Sequence, residues 1–330
     1  MPGPLLIRLI TPAPPGSKKG NRITALRWAR LLRGLGHRVI IEEEYRGGRC
    51  HLLVVLHARR SFPSARLFRR LHPRLPLVVA LTGTDLYRDL PGSIRARQVL
   101  EWAWRIVVLQ RLAIDELPQA LRARARVIHQ SARAAGRRPA RRKGAFEVCV
   151  LAHLRAVKDP FRAAEASRLL PPSSRVRVLQ VGGALDAAMG RRARREEAVN
   201  PRYRWLGEVP RWKALRVLAR SRLLVLSSFL EGGANVISEA LAASVPIVSS
   251  RIPGSIGLLG RDYPGYFPPG GTRALARLLR KAEADPAFYR RLERECRELA
   301  GLADPAREIR SWKRLLAELG SPQGIASSSV

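Results

Sequence analysis

Short apolar runs, each ended by Gly, Pro, Ser or Thr, recur along the whole chain. Leu5–Ile10, Val39–Ile41, Leu52–Leu56, Leu77–Leu81, Ile106–Leu109 and Val127–His129 form one series. Glu147–Ala152, Arg175–Val181, Tyr203–Leu206, Leu223–Leu226, Ile247–Val248 and Gly265–Phe267 form a second. Runs of this length without alternation predict strands buried on both faces, as in parallel sheets. Between them the apolar spacing turns helical. Residues 21–34 carry Ile23, Leu26, Ala29 and Leu31 at helical intervals, and Gly36 closes that helix. Ile237 and Leu241, with Val236 and Ala240, share a face from about Ala234 onward. Further helices are predicted over 272–284, 286–299 and 305–319, the last with Trp312, Leu315 and Leu316 on one face.

Strand–helix alternation on this scale predicts an α/β chain with two Rossmann-like, doubly wound domains facing a cleft. Residues 1–136 make the first and 145–303 the second, joined by a linker at 137–144 that overlaps the basic, apolar-poor stretch ARAAGRRPARRK. The helix at 304–319 follows, then a polar tail, 320–330, expected to be disordered.

The pattern concentrates candidate chemistry where strands end. After Leu223–Leu226 come Ser227 and Ser228, Glu231, the pair Gly232-Gly233, and then a helix carrying Glu239. Glycines allow a ligand close to the backbone, and a helix start offers N–H groups with about half a positive charge. That suits a phosphate or diphosphate. Carboxylates would repel phosphate, so Glu231 and Glu239 suit sugar hydroxyls, and together the features suggest a nucleotide sugar. An ordinary strand–turn–helix with a capping Glu and a solvated Glu is the other reading. After Glu147–Ala152, Arg155 and Lys158 can clamp a diphosphate, Arg as a fork and Lys as a point charge; a solvated basic turn is the alternative.

The first domain has its own ligand edge. Lys19, Gly20, Asn21 and Arg22 open the first helix, but the P-loop's Gly-Lys-Ser/Thr is absent. His57, Arg59 and Arg60 follow the third strand, and Thr82, Gly83, Thr84 and Asp85 follow the fourth. Gln110 and His129-Gln130-Ser131 fall on the same edge. These residues read either as an acceptor or anion site or as turns and helix caps.

Composition alters this picture in three ways. The net charge is +35, carried by 61 Lys and Arg of which only seven are Lys. Such spread-out Arg, with abundant Ala and Leu, matches GC-rich coding rather than a nucleic-acid surface. No aromatic-interleaved basic stripe or zinc motif accompanies it, so no nucleic-acid partner is expected and the field draws in small anionic substrates. Apolar runs stop at about five residues, too short for an integral membrane segment. The start MPGPLLIRLITPAPPG lacks a signal peptide's features, and Cys50, Cys149 and Cys296 are odd in number and far apart, which points to the cytoplasm. No Asp-x-Asp motif is present. Arg155, Lys158 and the helix start supply charge in its place, so neither metal nor other cofactor is expected.

The stretch SSFLEGGANVISEALAASVPIVSS, with Glu231 and Glu239 in E-x7-E spacing, resembles the donor-site signature of glycosyltransferase family 4, which has the GT-B fold. The family more usually carries Gly-Phe-Gly after the first Glu, where this chain has Gly232-Gly233-Ala234-Asn235. The resemblance implies that Gly232, Gly233, Ala234 and Asn235 line the donor, that Glu231 faces its sugar, and that Glu239 takes the ribose. It puts Arg155 and Lys158 on the diphosphate and the backbone of Leu206–Val209 on the base. Over about residues 5–319 a narrower likeness holds. The runs TPAPPGSKKGNRITALRWARLLRGLGHRV, LHARRS, VALTGTDLYRDL, LRAVKDPFRAA, NPRYRWLGEVPRWKAL, LEGGANVISEAL, SRIPGSIGLLG and DYPGYFP resemble the selenosugar synthases of selenoneine biosynthesis, the SenB family.

That likeness implies transfer of the sugar of UDP-N-acetylglucosamine or UDP-glucose to selenophosphate. It also implies coupling to a selenophosphate-producing enzyme and a selenoneine synthase. The candidate catalytic residues are then Glu231, Arg155, Lys158, His57 and Asp85. Lys19, Gly20, Asn21, Arg22, His57, Arg59, Arg60, Thr82, Gly83 and Thr84 are the acceptor candidates. A family 4 enzyme with a hydroxyl acceptor and a non-catalytic polyanion-binding protein are the alternative readings.

Overall fold

The computed structural model describes residues 3–17, 19–83, 85–133, 136 and 139–320. Thr84, the linker positions 137 and 138, and the tail from 321 onward lie outside the described residues. The chain divides into two compact units, Met1–Gln130 with Pro305–Val330, and Ser131–Asp304. The first break therefore falls ahead of the basic stretch. Ala132 already belongs to the second unit, its N–H donating to the Ala303 carbonyl at 3.0 Å.

The first unit runs β1 (Leu6–Ile10), α1 (Gly20–Gly34), β2 (Arg38–Glu42), β3 (Leu52–Leu56), α2 (Phe62–Leu71) and β4 (Leu77–Leu81). A π-helical turn (Asp85–Asp89), the single turn α3 (Leu90–Gly92), α4 (Ile94–Trp102), β5 (Arg105–Val108) and β6 (Ala125–Val127) follow. All its strands pair in parallel in the order β2-β1-β3-β4-β5-β6, so the winding reverses between β1 and β3. Every residue of β3 and β4 is buried. Leu52, Val54 and Leu56 enter the cluster on one face, with Trp28 and Leu32, while Leu53 and Val55 join Phe68 and Val99 on the other. Helices on both faces are why these strands read as unbroken apolar runs.

Two details differ from the sequence pattern. The buried stripe of α1 is Ala25, Trp28, Ala29 and Leu32, whereas Leu26 is 48% exposed. Those positions follow i, i+3, i+4, i+7, and they put the large Trp28 ring in the core; the set Ile23, Leu26, Ala29, Leu31 does not. The sixth strand also sits two residues earlier than expected, because its pairing with β5 matches Ile106 to Ala125 and Val108 to Val127.

The second unit contains β7 (Phe146–Leu151), α5 (Arg162–Arg168), β8 (Val176–Val181), α6 (Ala187–Val199), β9 (Tyr203–Trp205), α7 (Arg211–Arg220) and β10 (Leu223–Leu226). It continues with α8 (Asn235–Ala242), β11 (Ile247–Ser250), α9 (Pro253–Leu259), β12 (Tyr266–Phe267), α10 (Thr272–Ala284) and α11 (Pro286–Glu298). The parallel order β12-β11-β10-β7-β8-β9 is the Rossmann order, reversing between β7 and β10. The segment after β11 forms the helix α9 from Pro253 on, where Pro supplies a ready helical φ at the first position.

The last helix, α12 (Pro305–Ala317), completes the first unit. Trp312, Leu315 and Leu316 are buried in the same cluster as Trp28, whose ring meets Trp312 edge-on at 4.9 Å. Glu308, 1% exposed, accepts from Trp28 Nε1 at 2.7 Å and Arg27 Nε at 3.1 Å. Among the described residues, no helix is long and apolar enough to cross a membrane.

Candidate functional site

Where a parallel sheet reverses its winding, the loops leaving the two adjacent strands diverge and open a crevice at their carboxyl ends. In the second unit those loops follow β7 and β10. They are tied together by the Phe229 N–H donating to the Val157 carbonyl at 2.9 Å. Ser227 Oγ adds bonds to the carbonyls of Lys158 and Asp159 at 3.1 and 2.8 Å. Asp159, at φ 44°, reverses the chain, and Arg162 holds its carboxylate at 2.7 Å.

This scaffold brings Lys158 Nζ to 2.5 Å from Glu231 Oε1, and Ser228 Oγ donates to the same oxygen at 2.7 Å. Glu231 is 8% exposed. Arg155 caps the turn leading to Lys158, whose N–H donates to the Arg155 carbonyl at 2.9 Å. The Glu231 segment is braced from beneath by Ser250 Oγ on the Ser228 carbonyl at 2.6 Å. It is braced from the side by Gly254, where a Cβ would stand 2.0 Å from the Glu231 carbonyl oxygen.

Gly232 and Gly233 are buried, and α8 begins at Asn235, with Ala234 as its N-cap. Ala234 has no side-chain oxygen for the first-turn N–H groups, so the helix start suits an acceptor from a ligand. Glu239, one turn further, meets Arg211 Nη2 through Oε1 at 2.7 Å. Arg211 opens α7, one residue beyond the Leu206–Val209 segment, with Pro210 between them. That segment is bound to the end of β8 through Leu206 N–H on the Gln180 carbonyl and Gly182 N–H on the Gly207 carbonyl, both 2.9 Å. Leu206 and Val209 pack their side chains on the core.

A second polar cluster lies on the carboxyl edge of the first unit. His57, just past β3, adopts φ 74°, a strained conformation for a non-glycine residue. Its Nδ1 accepts the Arg60 N–H at 3.4 Å, and its Nε2 is 3.6 Å from Asp89 Oδ2. Asp89 also holds Arg59 at 3.2 Å and Arg88 at 3.4 Å. Asp85 is fully buried and accepts the N–H groups of Gly83 and Thr82 at 2.8 and 3.4 Å. Burial pushes the Asp85 carboxyl up, against the pull of His57 and those N–H groups; burial pushes His57 down, against Asp85.

Thr82 Oγ1 donates to Asn21 Oδ1 at 2.8 Å, which joins the start of α1 to the β4 loop. Among the described residues, Thr11 Oγ1, Arg22 Nε, His57 Nε2, Gln110 Oε1 and Gln130 Oε1 on this edge are buried without a hydrogen-bond partner. Buried polar atoms left so are costly, and a polar ligand would satisfy them. Lys19, Gly20, Arg59 and Arg60 lie exposed around them.

The structure thus joins Lys158 to Glu231, Arg211 to Glu239, Asn21 to Thr82, and His57 to Asp89. Asp89 and Arg211 were not singled out from the sequence. Arg211 directly follows Leu-Gly-x-Val-Pro, which is the signal that marks it; nothing local marks Asp89. Among the described residues, no three or more His, Cys, Asp or Glu stand together as a metal site.

Two doubly wound parallel units of this kind are the GT-B fold. Anabaena HepE, in a crystal structure with UDP and glucose, is similar to this chain with a TM-score of 0.76 at 16% identity, over 96% of this chain and 100% of that one. Sucrose-phosphate synthase from Thermosynechococcus elongatus gives 0.75 at 15% identity, over 95% and 98%. An α,α-trehalose 6-phosphate synthase from Burkholderia multivorans gives 0.67 at 15%, over 84% and 72%. The family model of the group 1 glycosyl transferases matches residues 133–299, and the chain belongs to that family. No curated protein matches the chain in sequence. The protein is a glycosyltransferase.

Proposed function

We propose that this glycosyltransferase uses a UDP-sugar and transfers its sugar to selenophosphate, forming a carbon–selenium bond. The observation that carries the donor half is the Lys158–Glu231 pair at the β7/β10 reversal, beside the start of α8. A diphosphate arriving there competes with Glu231 for the Lys158 ammonium. As Lys158 turns to phosphate, Glu231 is released to accept sugar hydroxyls. Glu239 takes the ribose, and the backbone of Leu206–Val209 takes the base. HepE, which shares the fold, was crystallised with UDP and glucose, which supports uridine in the donor. UDP-N-acetylglucosamine and UDP-glucose are the donors to try.

The acceptor half rests on the likeness to the selenosugar synthases and on the polar edge of the first unit. Selenophosphate is already an anion and a soft nucleophile, so no general base need remove a proton from it. Selenium attacks the anomeric carbon, the bond from that carbon to the diphosphate oxygen breaks, and the electron pair leaves with UDP. Arg155, Lys158 and the first-turn N–H groups of α8 meet the charge that develops on the leaving group. No metal or cofactor enters this reading. Arg22, Arg59, Arg60 and Lys19 supply positive charge for the incoming anion, with Asn21, Thr82 and His57 as hydrogen-bonding groups; water afterwards attacks phosphorus, the Se–P bond breaks, and inorganic phosphate departs from the selenol.

The test is UDP release by the purified protein given UDP-N-acetylglucosamine or UDP-glucose, with and without selenophosphate. Release that requires selenophosphate, with a selenium-bearing sugar seen by mass, is the expected result. Release only with an alcohol acceptor would overturn the selenium assignment and leave the donor reading standing.

A further inference from the structure

Glu239 is a buried carboxylate on a helix, α8, whose buried face is mostly apolar. Its side chain is 5% exposed, while Val236, Ile237, Ala240 and Leu241 around it belong to the core. Its charge is felt by the buried Cys149 thiol of β7, whose pKa it helps to raise after burial itself. An anion in such a place is costly unless a cation is within reach. Arg211 Nη2 stands 2.7 Å from Oε1, and its side chain is 45% exposed, so the guanidinium approaches from the solvent side.

We propose that Arg211 is a positioning residue of the nucleotide site, which holds Glu239 ionised and aimed for the ribose diol. The inference rests on the donor reading above and deepens it. A neutral diol donates two O–H groups, and it needs an acceptor with both oxygens unprotonated. A carboxylate offers about four lone-pair sites, so the guanidinium bond to Oε1 does not by itself exhaust its capacity for hydroxyls. Arg211 therefore acts beside the ribose rather than in competition with it. Its location supports the role. It is the first residue of α7, two positions past Val209, and so it links the element assigned to the base with the one assigned to the ribose. A merely structural α7–α8 tie predicts a change in stability alone. A positioning role predicts a change in how the protein reads the ribose.

The experiment compares UDP with 2′,3′-dideoxy-UDP by isothermal titration on the full chain, as wild type, Arg211→Ala and Arg211→Lys, with the Tm of each. The wild type is expected to favour UDP by about a hundredfold, from two hydroxyl bonds to a carboxylate at about tenfold each. In R211A the preference falls to about tenfold or less, while affinity for the dideoxy nucleotide stays within about twofold. R211K recovers part of the preference, since Lys keeps the charge without the planar fork; it also covers the case in which R211A fails to fold. An R211A protein that keeps the full preference, binds UDP more tightly, or loses both nucleotides equally would overturn the proposal. A wild type that ignores UDP, or does not distinguish the two nucleotides, overturns the donor reading itself and this inference with it.

Discussion

Gly254 is the position where a single methyl group tests the site most directly. It is the second residue of α9, with no positive φ, so alanine is compatible with its backbone and would favour the helix by about 1 kcal/mol. What alanine meets is the Glu231 backbone, because the added Cβ would lie 2.0 Å from its carbonyl oxygen and 2.8 Å from its carbonyl carbon. An ordinary C···O approach is about 3.3 Å, so helix and loop must part by about 1.3 Å. Neither atom is the end of a flexible side chain. Overpacking of this kind costs about 1–3 kcal/mol, and the helix gain offsets about a third to all of it. Unfolding is therefore expected within about 8 °C of wild type. Activity is far more sensitive, since a displacement of about 1 Å in a positioned group costs on the order of a hundredfold. Moving Glu231 disturbs its bonds to Lys158 and Ser228 together. The assay is kcat/KM for UDP release in G254A, against the control G34A, where an added Cβ meets nothing within 4 Å. G254A at wild-type kcat/KM and wild-type Tm would refute the contact and the role given to the Glu231 segment.

Glu308→Ala is expected to destabilise the first unit by about 3–5 kcal/mol, because it removes the buried carboxylate that accepts from Arg27 and from the buried Trp28 N–H; E308Q should cost less, and equal denaturation midpoints for all three proteins would contradict this. His129 is pushed down to about 4, chiefly by burial and then by the Arg307 charge. The unfolded chain takes up this proton near pH 6.5 and the folded one only near 4, so the His129 contribution is complete above pH 6.5 and lost as pH falls toward 4. It amounts to about 3 kcal/mol. Urea midpoints between pH 7 and 4 should fall less steeply in H129Q, and parallel curves would sink the assignment.

The periodicity of the chain was enough to locate most elements. Leu52–Leu56, Leu77–Leu81 and Leu223–Leu226 are strands at the positions their apolar runs mark, and Thr272–Ala284 is a helix as its spacing implies. These features are local, since burial on two faces demands an unbroken apolar run and a helix buried on one side demands a stripe. The choice of stripe was less legible in α1. There Leu26 and Trp28 are both apolar, and only the packing against β3 and α12 selects Trp28. Glu231, Lys158 and Glu239 stood out individually, by residue type at the ends of strands and on a helix. Which residue each would meet did not. Lys158 and Glu231 are 73 residues apart, His57 and Asp89 are 32, and Arg211 and Glu239 are 28.

What the sequence determined by itself was therefore a set of elements and of chemically capable loop residues. The tertiary structure decided which of those residues share an edge. Strand order is set by long-range pairing, and the reversal between β7 and β10 sets two remote loops side by side. Pairing across such a reversal depends on how whole layers pack, and no window of neighbouring residues contains that information.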